Sequence, residues 1–250
     1  RADREQALAA FRREFLRPDG SLKESGQTGY ALAFTMNLLP AEVEAQAAAS
    51  FAQAIERKNR HLATGFIGTP RLLPALHRAG RDDLAYALLL NTDYPSWLYQ
   101  VKLGATTMWE RWDGWTPDKG FQDPGMNSFN HYAFGAVGEY LFTDIGGIRT
   151  NTPGFKDITI APHPGGNLTY ANTTYHSIHG AITSNWKLEG KTLTLEVVIP
   201  PNVTAKVYVP TSDPASVKNS DLTHAQPQAP EDGAAVFAVE PGRYTFTSSF

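Results

Sequence analysis

Ten consecutive residues, Thr106-Thr107-Met108-Trp109-Glu110-Arg111-Trp112-Asp113-Gly114-Trp115, gather two carboxylates, a guanidinium and three of the chain's five tryptophans. Indole faces pack well against the C–H faces of sugar rings. A carboxylate standing between such walls is the basic equipment for hydrolysing a glycosidic bond, because that reaction needs one carboxyl group to handle a proton and another to handle water or the sugar. The same ten residues could equally form a buried aromatic cluster around a structural Glu110–Arg111 pair. Two further residues join them on type alone. His131, in Ser128-Phe129-Asn130-His131-Tyr132, is either a donor to a sugar hydroxyl or a satisfied core histidine. Trp97, in Tyr94-Pro95-Ser96-Trp97, is either a sugar platform or core.

Other chemistries find little support. There is no cysteine among the 250 residues, which removes disulfides, thiolate nucleophiles and Cys-ligated zinc. Neither HExxH nor GxSxG occurs. His176 and His179 lie close together without matching carboxylates and read as surface polar residues. Gly190-Lys191-Thr192 resembles the end of a phosphate loop, but Asn185 stands where the earlier glycine is required. No metal and no cofactor is expected. With 22 Lys and Arg against 25 Asp and Glu, and no basic run, nucleic acid and anionic membrane are poor partners. The compartment stays open between cytoplasm, periplasm and secretion.

The elements that must position these residues come in two kinds. Up to about Gly146 the period is helical. Ala7, Leu8, Phe11 and Phe15 mark a first helix, broken by Pro18-Asp19-Gly20. Tyr30 to Leu39 is apolar nearly all round, as for a helix between neighbours. Pro40 opens a third helix, through Phe51 and Ile55 to Arg57. Thr69-Pro70 reads as a hydroxyl cap followed by a first-turn proline, with Leu72, Leu73 and Leu76 inward and Gly80 as the stop. Asp82 or Asp83 begins the next helix, to Leu90, and Ser128 begins a last one, ended by Gly146-Gly147. Between them, roughly Gly104 to Asn127 is a long irregular stretch of the kind that usually carries function. After Pro153-Gly154 the period becomes two. Ile182–Lys187 and Leu193–Ile199 flank a turn at Glu189-Gly190, Val207/Val209 and Tyr244/Phe246 follow, and a β-sandwich is expected.

The motifs, taken in order, are similar to the C-terminal half of a bacterial-type α-L-rhamnosidase of glycoside hydrolase family 78. They are Phe66-Ile67-Gly68-Thr69-Pro70, Tyr94-Pro95-Ser96-Trp97, Gly104 through Trp112, Met126 through Glu139, Pro153-Gly154-Phe155-Lys156, Ala161-Pro162 and Pro164-Gly165-Gly166. The resemblance covers nearly the whole chain. It implies half of an (α/α)6 toroid over residues 1–148 and a C-terminal antiparallel β-sandwich over 149–250. It also implies hydrolysis of terminal α-L-rhamnosides with inversion, Glu110 as general base, and a rhamnose pocket lined by Trp97, Trp109, Trp112, Asp113 and His131. Arg111 is expected to steady the Glu110 carboxylate. The family's general acid lies upstream of every residue here, so the expected partners are a rhamnose-containing glycoside and an N-terminal part of the same enzyme. On this reading the 250 residues alone do not turn over substrate. Asp113, Glu24 and Asp93 are the acids that could be asked to replace the missing one, and none is assigned that role. Leu98 stands where relatives often have glycine, which narrows the expected pocket rim. Two alternatives remain: a non-catalytic carbohydrate-binding fragment, and an (α/α)6 glycosidase for another sugar.

Overall fold

The period change near residue 150 divides the chain as a change of secondary structure. The computed structural model describes residues 2–23, 26–221 and 223–250, and within it six helices precede a run of strands. Two compact units result, Arg1–Val137 and Gly138–Phe250.

In the first unit the helices are α1 (Ala2–Phe15), α2 (Gln27–Thr35), α3 (Glu44–Glu56), α4 (Thr69–Arg78), α5 (Asp82–Leu89) and α6 (Trp97–Lys102). The expected apolar faces are buried in α2 through α5. Tyr30 and Phe34 of α2 stack on Phe51 of α3 at 5.6 and 5.8 Å. Leu72 and Leu76 of α4 and Leu84 and Leu88 of α5 are fully enclosed. Helix α4 lies against both α2 and α5. The close approach explains Gly68, where a Cβ would come within 2.4 Å of the Thr28 hydroxyl. The start of α4 differs from expectation. Gly68 is the cap, and the Thr69 hydroxyl meets Thr64 Oγ1 at 2.8 Å instead of a backbone N–H. Both threonines are buried, so each hydroxyl needs a partner and each supplies the other's. Helix α1 forms, yet it buries no residue; Leu8 and Phe11 are only half covered.

The expected helix from Ser128 is the clearest correction. Residues 128–132 are irregular. Helical turns begin at Ala133, as a 3-10 turn to Ala136, then α7 (Val137–Tyr140) and a π-type turn over Leu141–Ile145. The backbone of 128–131 is occupied elsewhere, by the site described below.

The second unit is a sandwich of two five-stranded sheets. In chain order the strands are β3 (Ile148–Thr150), β4 (Asp157–Ile160), β5 (Tyr170–Ser177), β6 (Gly180–Glu189), β7 (Thr192–Ile199), β8 (Thr204–Pro210), β9 (Lys218–Asn219), β10 (Ala225–Pro227), β11 (Ala234–Val239) and β12 (Gly242–Ser249); β1 (Trp115–Thr116) and β2 (Gly120–Phe121) form a small hairpin in the first unit. The sheet orders are β10-β11-β8-β4-β3 and β5-β6-β7-β12-β9. All pairings are antiparallel except β4 with β8, which is parallel, so the sandwich is mixed. The hairpin turn falls at Gly190, with φ +60°, between Glu189 and Thr192. Ile182, Leu193, Leu195 and Val197 point into the core. Phe246 meets Phe237 of the other sheet at 5.0 Å. Trp186, 1% exposed, donates its indole N–H to the Ile145 carbonyl at 2.8 Å.

Candidate active site

The irregular stretch between α6 and Ala133 is held by its own backbone. The Glu110 N–H donates to the Ser128 carbonyl at 2.8 Å, and the His131 N–H donates to the Met108 carbonyl at 2.8 Å. The Thr107 hydroxyl donates to the Phe129 carbonyl. Residues 107–110 and 128–131 therefore run past one another like a short antiparallel ladder, and Ser128 cannot serve as a helix cap while it does so. Two side chains tie the stretch to its surroundings. Gln100 of α6, 3% exposed, donates Nε2–H to the Arg111 carbonyl at 2.8 Å. Asn127 donates Nδ2–H to the Gly114 carbonyl at 2.9 Å. A Cβ on Gly114 would stand 2.7 Å from the Asn127 amide oxygen, so glycine is what fits there.

Glu110 is half-buried, and its Oε2 accepts the Ser128 N–H at 2.8 Å. Oε1 has no protein partner among the described residues. Arg111 does not steady this carboxylate. Its Nε and Nη2 bond Asp113 Oδ1 and Oδ2 at 3.0 and 3.3 Å. That pairing holds the Arg111 guanidinium above its usual pKa. Partial burial, followed by the negative charge of Asp113, pushes the Tyr94 phenol up as well. The forked Arg111–Asp113 geometry follows from spacing, since a guanidinium two residues before a carboxylate can turn back on it within one loop.

The tryptophans are not open platforms. Trp97, Trp109 and Trp112 are 6%, 6% and 9% exposed. Trp112 lies flat on Phe134 with ring centres 3.9 Å apart and meets Trp97 edge-on at 5.5 Å. Trp97 donates its indole N–H to the Phe134 carbonyl at 2.9 Å. Trp109 meets Phe129 edge-on at 5.1 Å. They form a packed aromatic wall in which the Trp97 indole N–H is bonded. His131 is half-exposed, stacked on Phe66 at 4.7 Å, and its Nδ1 accepts the Ala133 N–H at 3.3 Å. With Nδ1 accepting, the neutral ring carries its proton on Nε2, which is free to donate outward.

Of the other acids weighed, Asp93 is exposed, with its N–H on the Asn91 side chain, and Glu24 lies outside the described residues. Leu98 is half-buried on α6. The Ser128 N–H, the Gln100 clamp and the Phe66 stacking partner were not assigned from sequence. Gln100 carried a detectable signal, a polar residue between the apolar Tyr99 and Val101. A backbone N–H carries none.

One mutation isolates the clamp. Gln100→Leu keeps the volume but removes the 2.8 Å donor to the part-buried Arg111 carbonyl, leaving it the longer bond from the Gly114 N–H at 3.3 Å. Unfolding free energy is expected to fall by about 1–3 kcal/mol, read from urea denaturation.

The chain is similar to known proteins over most of its length. Residues 1–145 match the bacterial alpha-L-rhamnosidase 6 hairpin glycosidase domain, and residues 147–223 match the bacterial alpha-L-rhamnosidase C-terminal domain. An alpha-L-rhamnosidase of Streptomyces avermitilis is 44% identical over 238 residues, covering 95% of this chain and 23% of that protein. One from Formosa agariphila is 39% identical over 248 residues, covering 96% of this chain and 27% of that protein. The crystal structure of the S. avermitilis enzyme complexed with L-rhamnose superposes with a TM-score of 0.92 at 43% identity, covering 97% of this chain and 23% of that one. The native enzyme of Aspergillus terreus gives 0.86 at 32%, covering 98% and 26%. The chain thus spans about a quarter of the length of the relatives it matches. These matches, over residues 1–145 and 147–223, make the chain a member of the bacterial α-L-rhamnosidase family.

Proposed function

We propose that this chain carries the water-activating half of an inverting α-L-rhamnosidase. Glu110 is the general base: it takes a proton from one water as that water attacks the anomeric carbon of a terminal rhamnose. The general acid, on the opposite face of the sugar, comes from an N-terminal part of the same enzyme. In an inverting pair the two carboxyl groups stand about 6.5–9.5 Å apart to leave room for water.

The observation that carries this reading is how Glu110 is held. One oxygen is fixed by a single backbone N–H, and the other has no protein partner among the described residues. A carboxylate locked by Arg111 would have both its charge and its lone pairs engaged; here Asp113 takes that guanidinium instead. Trp97, Trp109 and Trp112 act as the rigid wall behind the pocket. His131 offers Nε2–H to a sugar hydroxyl, and Asp113 with Arg111 forms a fixed polar edge.

The test is proton NMR of an aryl α-L-rhamnoside during hydrolysis by the whole enzyme. β-L-Rhamnose is expected to appear first, with the α anomer following by mutarotation. First appearance of the α anomer removes the inverting mechanism, and faster cleavage of the aryl fucoside or glucoside removes the substrate. The 250 residues alone are expected to release no rhamnose.

A further inference from the structure

The outer face of the β5-β6-β7-β12 part of the second sheet has no role in the site above, and it is built unlike a plain solvated surface. Strand register sets its outward side chains in cross-strand rows. Asn172, Asn185, Glu196 and Thr245 form one row, flanked by Tyr170 with Lys187 and Thr194 on one side and by Thr174 with Thr183 and Arg243's strand position on the other. Neighbouring rows are about 7 Å apart and neighbouring strands about 5 Å. The face is hollowed. One cleft of about 520 Å³ is lined by Tyr170, Asn172 and Lys187 among others, and a second of about 510 Å³ by Thr174, Thr183 and Arg243. Asn185 and Glu196 line both, so the two clefts adjoin. Each is within the few-hundred-Å³ range of small-ligand sites.

The chemistry of the lining selects the ligand class. Lys187 and Arg243 are offset by Glu189 and Glu196, so the face offers no net field to a polyanion. Asn172, Asn185, Thr174, Thr183, Thr194 and Thr245 line the clefts beside the apolar Ala181 and Val198, a mixed surface that suits neither a lipid surface nor an amphipathic helix. The side chains of Glu196 and Arg243 are exposed and make no ion pair or hydrogen bond among the described residues. The Asn185 amide oxygen accepts the Thr173 N–H at 3.1 Å, which orients its NH₂ group as a donor. Tyr170, 62% exposed at the end of the cleft, presents an open ring. Planar hydrogen-bonding groups in a shallow groove with one open aromatic ring are what a hydroxyl-rich, uncharged chain requires.

We propose that this face binds an uncharged oligosaccharide or polysaccharide, Tyr170 stacking on one sugar ring while Asn172, Asn185, Glu196 and Arg243 bond ring hydroxyls. No residue of it belongs to the Glu110 site. The test is affinity electrophoresis of the full chain through gels containing dextran, galactomannan or arabinoxylan, with heparin as the polyanion. At least one neutral polysaccharide is expected to retard migration. Tyr170→Ala and Glu196→Ala, both of exposed side chains, are expected to weaken that retardation at least tenfold. Migration unaffected by all three neutral polymers, retardation by heparin alone, or Tyr170→Ala and Glu196→Ala variants retarded as strongly as the unsubstituted chain overturns the proposal.

Discussion

Glu110→Gln in the whole enzyme is expected to lower kcat on an aryl α-L-rhamnoside by about 10²–10⁴-fold, the usual worth of a positioned general base, with KM changed little. Glutamine keeps the shape and can still accept the Ser128 N–H, so the fold and the sugar pocket are preserved. What it loses is the ability to take a proton from water. That split between kcat and KM separates a base from a residue that merely holds sugar, because removing uniform binding raises KM and spares kcat. A non-catalytic carbohydrate-binding role predicts the opposite pattern: no turnover to lose and unchanged binding.

Trp112→Ala is expected to have the largest effect on stability. The indole is 9% exposed, stacked on Phe134 at 3.9 Å and edge-on to Trp97 at 5.5 Å. Truncating it empties a volume bounded by two other aromatic rings that are themselves fixed, Trp97 by its bond to the Phe134 carbonyl. Large-to-small changes of this kind cost about 3–5 kcal/mol where the surroundings cannot collapse. For a protein of this size that corresponds to a drop of roughly 10 °C in Tm, measurable by scanning calorimetry. Trp112→Phe keeps the stacking plane and is expected to recover more than half of the loss. Equal losses for Ala and Phe would mean that the indole's size, not its stacking, is what the wall needs.

Sequence made some of these features legible and concealed others for identifiable reasons. Periodicity found the helices from Tyr30 to Leu90 because their apolar faces are buried within the unit, as with Phe51 and Leu76. It found β6, β7 and the Gly190 turn because one face of that sheet is core and the other is polar. It missed β11, Ala234–Val239, which is buried along nearly its whole length and so shows no alternation. It missed β5, whose Tyr-Ala-Asn-Thr-Thr-Tyr-His-Ser sequence has almost no apolar side to mark. Ser128 looked like a helix cap because its local neighbours are those of one. Its N–H is instead committed to a carboxylate eighteen residues earlier, a long-range bond that no local pattern encodes. The same limit applies to Arg111. Adjacent in sequence to Glu110, it sits two residues from Asp113, and the fork it makes there is a matter of loop geometry. The type of Trp97, Trp109 and Trp112 marked an aromatic segment, but not that Trp97 and Trp112 pack on Phe134 with the Trp97 N–H bonded to its carbonyl, which depends on where Phe134 falls.

The central claim is that Glu110 prepares the attacking water, and azide addresses it directly. In Glu110→Ala the space of the carboxylate is opened and no base remains, but azide needs none to attack the anomeric carbon from the face opposite the departing aglycone. Added sodium azide is expected to restore turnover of the whole-enzyme variant and to give β-L-rhamnosyl azide as the product. Turnover that azide leaves unchanged, in a variant that still binds L-rhamnose, would contradict the claim, as would a rhamnosyl azide of α configuration.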